Sequence, residues 1–124
     1  MRLHSFPTRR SSDLLSYLRD EPRLTGVAYS PLMKGGYVNR DRLDAPEFAA
    51  FGHPGTPARL AALRDVAKDA GATVNQVVLA WLIGAEVPII PLVGASSVAQ
   101  LDESLAAVDL ELTAEQRARL DEAG

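Results

Sequence analysis

The chain has 124 residues, 47% of them hydrophobic and 23% charged, with a formal net charge of −3. That length and balance suit one soluble domain or part of a larger one, and no apolar run approaches the roughly 20 residues of a membrane helix. Cys is absent, which excludes disulfides, thiolate metal sites and a Cys nucleophile, and the acidic balance argues against a nucleic-acid partner.

The first residues, Met1–Leu14 (MRLHSFPTRRSSDL), differ from the rest. They carry Arg2, Arg9 and Arg10 against one acid, Asp13, and have no apolar periodicity. Arg and Ser richness is typical of a transit peptide, and Arg9-Arg10 of a twin-Arg signal, but no apolar stretch follows the pair. His4–Leu14, HSFPTRRSSDL, instead resembles the translation of a DNA-sequencing adapter; the other reading is a disordered N-terminal arm. Residues 1–14 are accordingly read as a non-native leader without structure, and Arg9-Arg10 as without function. Residues 15–124 then keep 10 basic and 15 acidic side chains, a charge of about −5, which disfavours a nucleic-acid partner further.

From there helices and strands alternate. Leu15, with Leu14 and Leu18, opens a short helix to Asp20, ended by Glu21-Pro22. Thr25–Ser30 (TGVAYS) has strand composition and stops at Pro31. Met33–Gly55, rich in Gly, Pro and charges and without a sustained period, reads as a long loop, which makes it functional or disordered. Thr56 is placed to cap a helix with Pro57 in its first position, Leu60, Leu63 and Ala67 on one face and Gly71 as its stop. Thr73-Val-Asn-Gln76 has the capping-box pattern, and the helix it opens is apolar nearly all round from Val77 to Ile83, so it should be buried on several sides.

Val87–Val93 (VPIIPLV) is a continuous apolar run, as for a strand covered on both faces, although Pro88 and Pro91 cannot donate to a ladder. Ser97-Val-Ala-Gln100 and Thr113-Ala-Glu-Gln116 repeat the capping box. The first leads a helix with Val98, Leu101, Leu105 and Val108, and the second a short helix ending near Ala123. This order predicts a parallel α/β protein.

Parallel α/β proteins bind ligands at the carboxyl ends of their strands. Two such ends are legible, Tyr29–Gly36 and Val93–Ser97. The second is a small-residue turn at a helix start, which suits an anion; an ordinary Ser-capped helix is the plainer reading of the same residues. Other polar and aromatic residues have plain readings too. Tyr29 reads as packing, His53 as a solvated loop residue and Trp81 as core. Asp102 and Glu103, adjacent on a helix, point in different directions and do not share a metal site.

The combination is more specific than its parts. AYSPL followed by Lys34-Gly35, a long loop, TxxQVxLAW, an apolar strand, GASSxxQLxES and DLELTxEQ resembles, in order and over roughly residues 15–124, the C-terminal part of the aldo/keto reductases. The resemblance implies the C-terminal part of a (β/α)8 TIM barrel, with the seventh strand near Gly26–Ser30 and the eighth near Val87–Val93. It also implies reduction of aldehydes or ketones with NADPH in a cytoplasmic enzyme.

By the same resemblance, Ser30 and Leu32 match positions that contact the cofactor pyrophosphate, and Lys34 a basic residue of that loop. Gly94, Ala95, Ser96 and Ser97 match the stretch that holds the adenosine phosphate. Gln100 stands where many members carry Arg, and Glu103-Ser104 where the family has Glu-Asn near the adenine. A neutral amide at 100 cannot pair bidentately with a phosphate, so NADH is an alternative to NADPH. The family's catalytic Tyr, Lys, Asp and His belong to early strands, and Tyr17, Tyr29, Tyr37, Lys68 and His53 match none of those motifs. No catalytic residue is therefore assigned. Two strands cannot close a barrel, so this chain is expected to be inactive and poorly stable alone. The competing class is a non-enzymatic α/β module that binds a nucleotide or a protein partner. A helix-turn-helix around Thr73–Ile83 would need a basic recognition helix, which the sequence lacks.

Overall fold

A computed structural model describes residues 9–39, 45–46, 54–87 and 89–123. Its elements are α1 (Arg9–Asp20), β1 (Gly26–Tyr29), α2 (Thr56–Ala70), α3 (Val74–Ile83), β2 (Ile89–Leu92), α4 (Val98–Ala106) and α5 (Ala114–Glu122), with single 3-10 turns at Met33–Gly35 and Ala107–Asp109. β1 and β2 pair in parallel, Gly26 opposite Ile89 and Tyr29 opposite Leu92. The strand–helix–helix–strand order read from the apolar periods is thus the observed one.

The core forms where α2 and α3 meet the sheet. Leu60, Leu63, Val66 and Ala67 from α2 pack with Val77, Val78 and Leu82 from α3, with Ala28 and Ile89 beneath and Leu18 and Leu120 at the edges. Val66, Val77 and Leu79 are among the most completely buried side chains, each contributing about 1.5–3 kcal/mol by leaving water. The all-round apolar pattern of α3 is explained by its neighbours, since it packs against α2, α4, β2 and the Ala107–Asp109 turn.

The helix ends follow the sequence closely. Thr73 and Gln76 form both halves of a capping box, Thr73 Oγ1 accepting from Gln76 N–H and Gln76 Oε1 from Thr73 N–H. Thr113 and Gln116 do the same for α5. α2 stops at Gly71, whose φ of 64° is left-handed backbone that glycine adopts without strain. Trp81 packs at the core's edge and donates its indole N–H to Asp121 Oδ1 at 2.8 Å.

Five expectations need correction. α1 starts at Arg9 rather than Leu15, so the end of the segment read as a structureless leader is helical. Thr56 is inside α2, and Gly55 is the cap, with no side-chain hydrogen bond. At α4 only half of the box forms: Ser97 Oγ accepts from Gln100 N–H, but the Gln100 carboxamide turns to Ser96 instead. β2 is covered on one face, not both; Ile89 is buried while Ile90 and Leu92 are exposed, as are Val27 and Tyr29 beside them. Finally, Val98, Leu101 and Leu105 of α4, with Val108 in the 3-10 turn after it, form no buried face and are exposed. In the last two cases the residue pattern specifies a buried surface, and nothing among the described residues covers it.

Candidate functional site

Both strands deliver their carboxyl ends to one side of the molecule. β1 ends at Tyr29, and the chain then takes left-handed backbone at Ser30 (φ 50°), Met33 (φ 50°) and Lys34 (φ 52°). Left-handed backbone costs a residue with a side chain about 1–2 kcal/mol. Three such residues within five positions mark a loop held in one shape by its surroundings. Short backbone hydrogen bonds close it: Met33 N–H to Ser30 O at 3.1 Å, Gly35 N–H to Leu32 O at 3.0 Å and Gly36 N–H to Met33 O at 3.0 Å.

β2 ends at Leu92 and leads through Val93–Ser97, all exposed, into α4. Gln100 organises this turn. Its Oε1 accepts from Ser96 N–H at 2.8 Å and from the Ser96 hydroxyl at 2.9 Å. One turn further on, Gln76 of α3 donates its Nε2 proton to Glu103 O at 3.0 Å, which fastens α3 to α4.

Between the two strand ends lies a cleft of about 940 Å³. Ser30, Leu32, Lys34, Gly94, Ala95, Ser96, Gln100, Glu103 and Ser104 all line it. Of the ten residues singled out in the sequence, only Ser97 is outside the lining, because its hydroxyl faces back to cap α4. Lys34 supplies positive charge and Glu103 negative charge to the wall. Among the described residues no cluster of His, Asp or Glu could hold a metal ion, and Asp102 is exposed while Glu103 turns to the cleft. His53 lies outside the described residues.

Tyr29 and Asn75 are among the lining residues that were not singled out from the sequence. Tyr29, read there as packing, is 58% exposed and lines the cleft. The alternation of the strand carries that signal, because Tyr29 shares a face with Val27 while Ala28 is buried. Asn75, in the first turn of α3, also lines the cleft, and only the docking of α3 against α4 reveals it.

The family model described as the Aldo/keto reductase family matches residues 2–124. An uncharacterized oxidoreductase of Mycobacterium bovis is 38% identical over 120 residues, 90% of this chain and 36% of its own length. The pyridoxine 4-dehydrogenase of Escherichia coli is 46% identical over 66 residues, 53% of this chain and 23% of its own. Among solved structures, a thermostable aldo-keto reductase crystallised with the inhibitor epalrestat superposes with a TM-score of 0.71 and 28% identity over 99% of this chain and 38% of its own. The chain thus spans about a third of the length of the curated relatives it matches. Its α/β architecture is that of part of an aldo-keto reductase, as expected for the last strands and helices of a (β/α)8 barrel. The motifs, the fold and these matches agree: the chain belongs to the aldo/keto reductase family.

Proposed function

We propose that the chain is the cofactor-binding part of an NAD(P)H-dependent aldo/keto reductase that reduces aldehydes or ketones to alcohols. The observation that carries this reading is convergence: two segments some sixty residues apart, each with a family motif, line a single cleft at the carboxyl ends of adjacent parallel strands. A dinucleotide fits what the cleft offers. Its volume of about 940 Å³ lies within the range of small-molecule sites. The exposed turn from Gly94 to Ser97 leads into a helix N-terminus, where free amides and the dipole favour an anion. Lys34 adds a cation, and the exposed Tyr29 ring offers a flat apolar face to a heterocycle.

In this reading Ser30, Leu32 and Lys34 attend the pyrophosphate, Gly94–Ser97 the adenosine phosphate, and Gln100, Glu103 and Ser104 the adenosine. The bound cofactor supplies the hydride, and the chain's own residues bind and orient it. NADPH is the reading by family. The Gln100 amide takes the Ser96 amide proton and hydroxyl proton for itself, which keeps NADH as the alternative. No residue of this chain is assigned to proton transfer, so this chain binds cofactor without turning over substrate. No helix among the described residues is long and apolar enough to cross a membrane. A cytoplasmic setting accords with the reading.

Titration of the 124-residue chain with NADPH and NADH, read by cofactor fluorescence, tests this. Saturable binding of either dinucleotide, with no oxidation when aldehydes are added, is the expected result. Absence of binding at millimolar concentration would remove the cofactor reading, and aldehyde-dependent turnover would remove the inference of inactivity.

A further inference from the structure

The helices of this chain are held in two different ways. α2 and α3 meet through Leu60, Leu63, Val66 and Ala67 on one side and Val77, Val78 and Leu82 on the other. α5 buries a single apolar side chain, Leu120, and is otherwise fastened by polar groups. Gln116 donates its Nε2 proton to Asp69 Oδ2 at 3.0 Å. Arg117 donates to Trp81 O and to Ala80 O, both at 3.1 Å. Trp81 gives its indole N–H to Asp121 Oδ1 at 2.8 Å, and Arg59 Nε donates to Ala123 O at 3.2 Å. The exposed ion pair of Arg119 with Asp65, at 3.4 Å, adds little to these.

Polar contacts are exchanged for water when a helix lifts away, whereas a buried apolar face has no such substitute. The segment before α5 is anchored separately, since Leu110 and Leu112 pack against the core, which puts a hinge at Thr113. Once lifted, the nine residues of α5 are too few to hold a helix in water, so undocking and unwinding go together. We propose that α5 is a latch: it opens as a unit while the α2–α3 core and the sheet stay folded, and the Trp81–Asp121 bond is its catch. Opening takes the Arg117 guanidinium from the last carbonyls of α3, the helix that runs on into β2. The latch therefore governs how tightly that helix end is held.

Native-state amide exchange on the 124-residue chain tests this. In the parent, the amides of Ala118, Arg119 and Leu120 should be protected, yet exchange at least about tenfold faster than those of Val78 and Leu79. Asp121→Ala should raise the α5 rates about tenfold more, by loss of a bond to a charged acceptor, and leave Val78 and Leu79 within about twofold. Alanine suits a helix better than aspartate does, so faster exchange there reports a lost catch and not a weaker helix. Asp121→Asn keeps an acceptor for the indole and should stay within about threefold of the parent. Equal protection of α5 and core, unprotected α5 amides above a protected core, or an Asp121→Ala effect that reaches Val78 and Leu79 equally would each overturn the latch. A parent without protected core amides would overturn it too, since α5 would have nothing to lift from. Unchanged α5 rates in Asp121→Ala, or Asp121→Asn as fast as Asp121→Ala, would overturn the role given to the Trp81–Asp121 bond.

Discussion

Gly84 ends α3 with φ −89° and ψ 11°, a conformation open to alanine, yet the site has no room for one. A Cβ there would fall on Arg117 Nη2, 3.0 Å from its Cζ and 3.2 Å from Ala80 O. The guanidinium occupies that space because it closes the helix: Nη2 donates to Ala80 O at 3.1 Å and Nη1 to Trp81 O at 3.1 Å. These are last-turn carbonyls, where positive charge also complements the dipole. Gly84→Ala must therefore push the side chain out. Losing two hydrogen bonds from a charged donor would cost at most about 3–6 kcal/mol. Ala80 O keeps its bond from Gly84 N–H at 3.0 Å and the freed guanidinium regains water, so about 2 kcal/mol is the working figure. The substitution also stiffens the unfolded chain, which returns about 0.4–1 kcal/mol. The net loss is then about 1–2 kcal/mol, a factor of roughly 5–30 in an opening equilibrium. Native-state amide exchange across Leu82, Ile83 and Ala85 reads this locally. In an Arg117→Ala background the same glycine change should be neutral or slightly stabilising, a clear failure of additivity. Equal protection in Gly84→Ala and parent, or the same loss in both backgrounds, would refute the steric argument.

Three further expectations can be checked on the same chain. Thr73→Ala and Thr113→Ala each remove the hydroxyl of a complete capping box and should destabilise their helices by about 1 kcal/mol; amide exchange at Gln76 and Gln116 unaltered by the changes would contradict this. Gln100→Arg should raise affinity for NADPH relative to NADH about tenfold, through a bidentate pair with the adenosine phosphate; an unchanged ratio in parallel titrations counts against the residue's proposed position. The exposed faces of Val27, Tyr29, Ile90 and Leu92 should bind an apolar dye and give a broad thermal transition by circular dichroism; a sharp cooperative melt at moderate temperature would show the 124 residues to be stable alone.

How far the sequence could be read depended on whether the signal was local. Thr73 and Thr113 cap helices through partners three residues away, and Gly71 stops α2 through its own backbone; such features are complete within a short window. Ser97 carried the same local pattern, but Ser96 competes for the Gln100 carboxamide and wins it. The β2 run was legible as a strand and misread as covered on both faces, because an apolar run records a need for cover and not its supply. In the candidate site, Ser30 and Gly94 came from motifs in single loops. Asn75 could not be found that way, since its place depends on α3 meeting α4 through Gln76 and Glu103.

The register of the sheet has a kinetic consequence. Gly26 pairs with Ile89, sixty-three positions later, so closing that loop costs about 4 kcal/mol of chain entropy beyond a constant term. The α2–α3 pair, joined by Gly71–Thr73 alone, faces almost no such barrier and should assemble early. Strand pairing is then the slow step, as is general for non-local contacts. Because the cleft exists only where the two strand ends come together, a chain emerging from the unfolded state should acquire its helical core first and its binding capacity last.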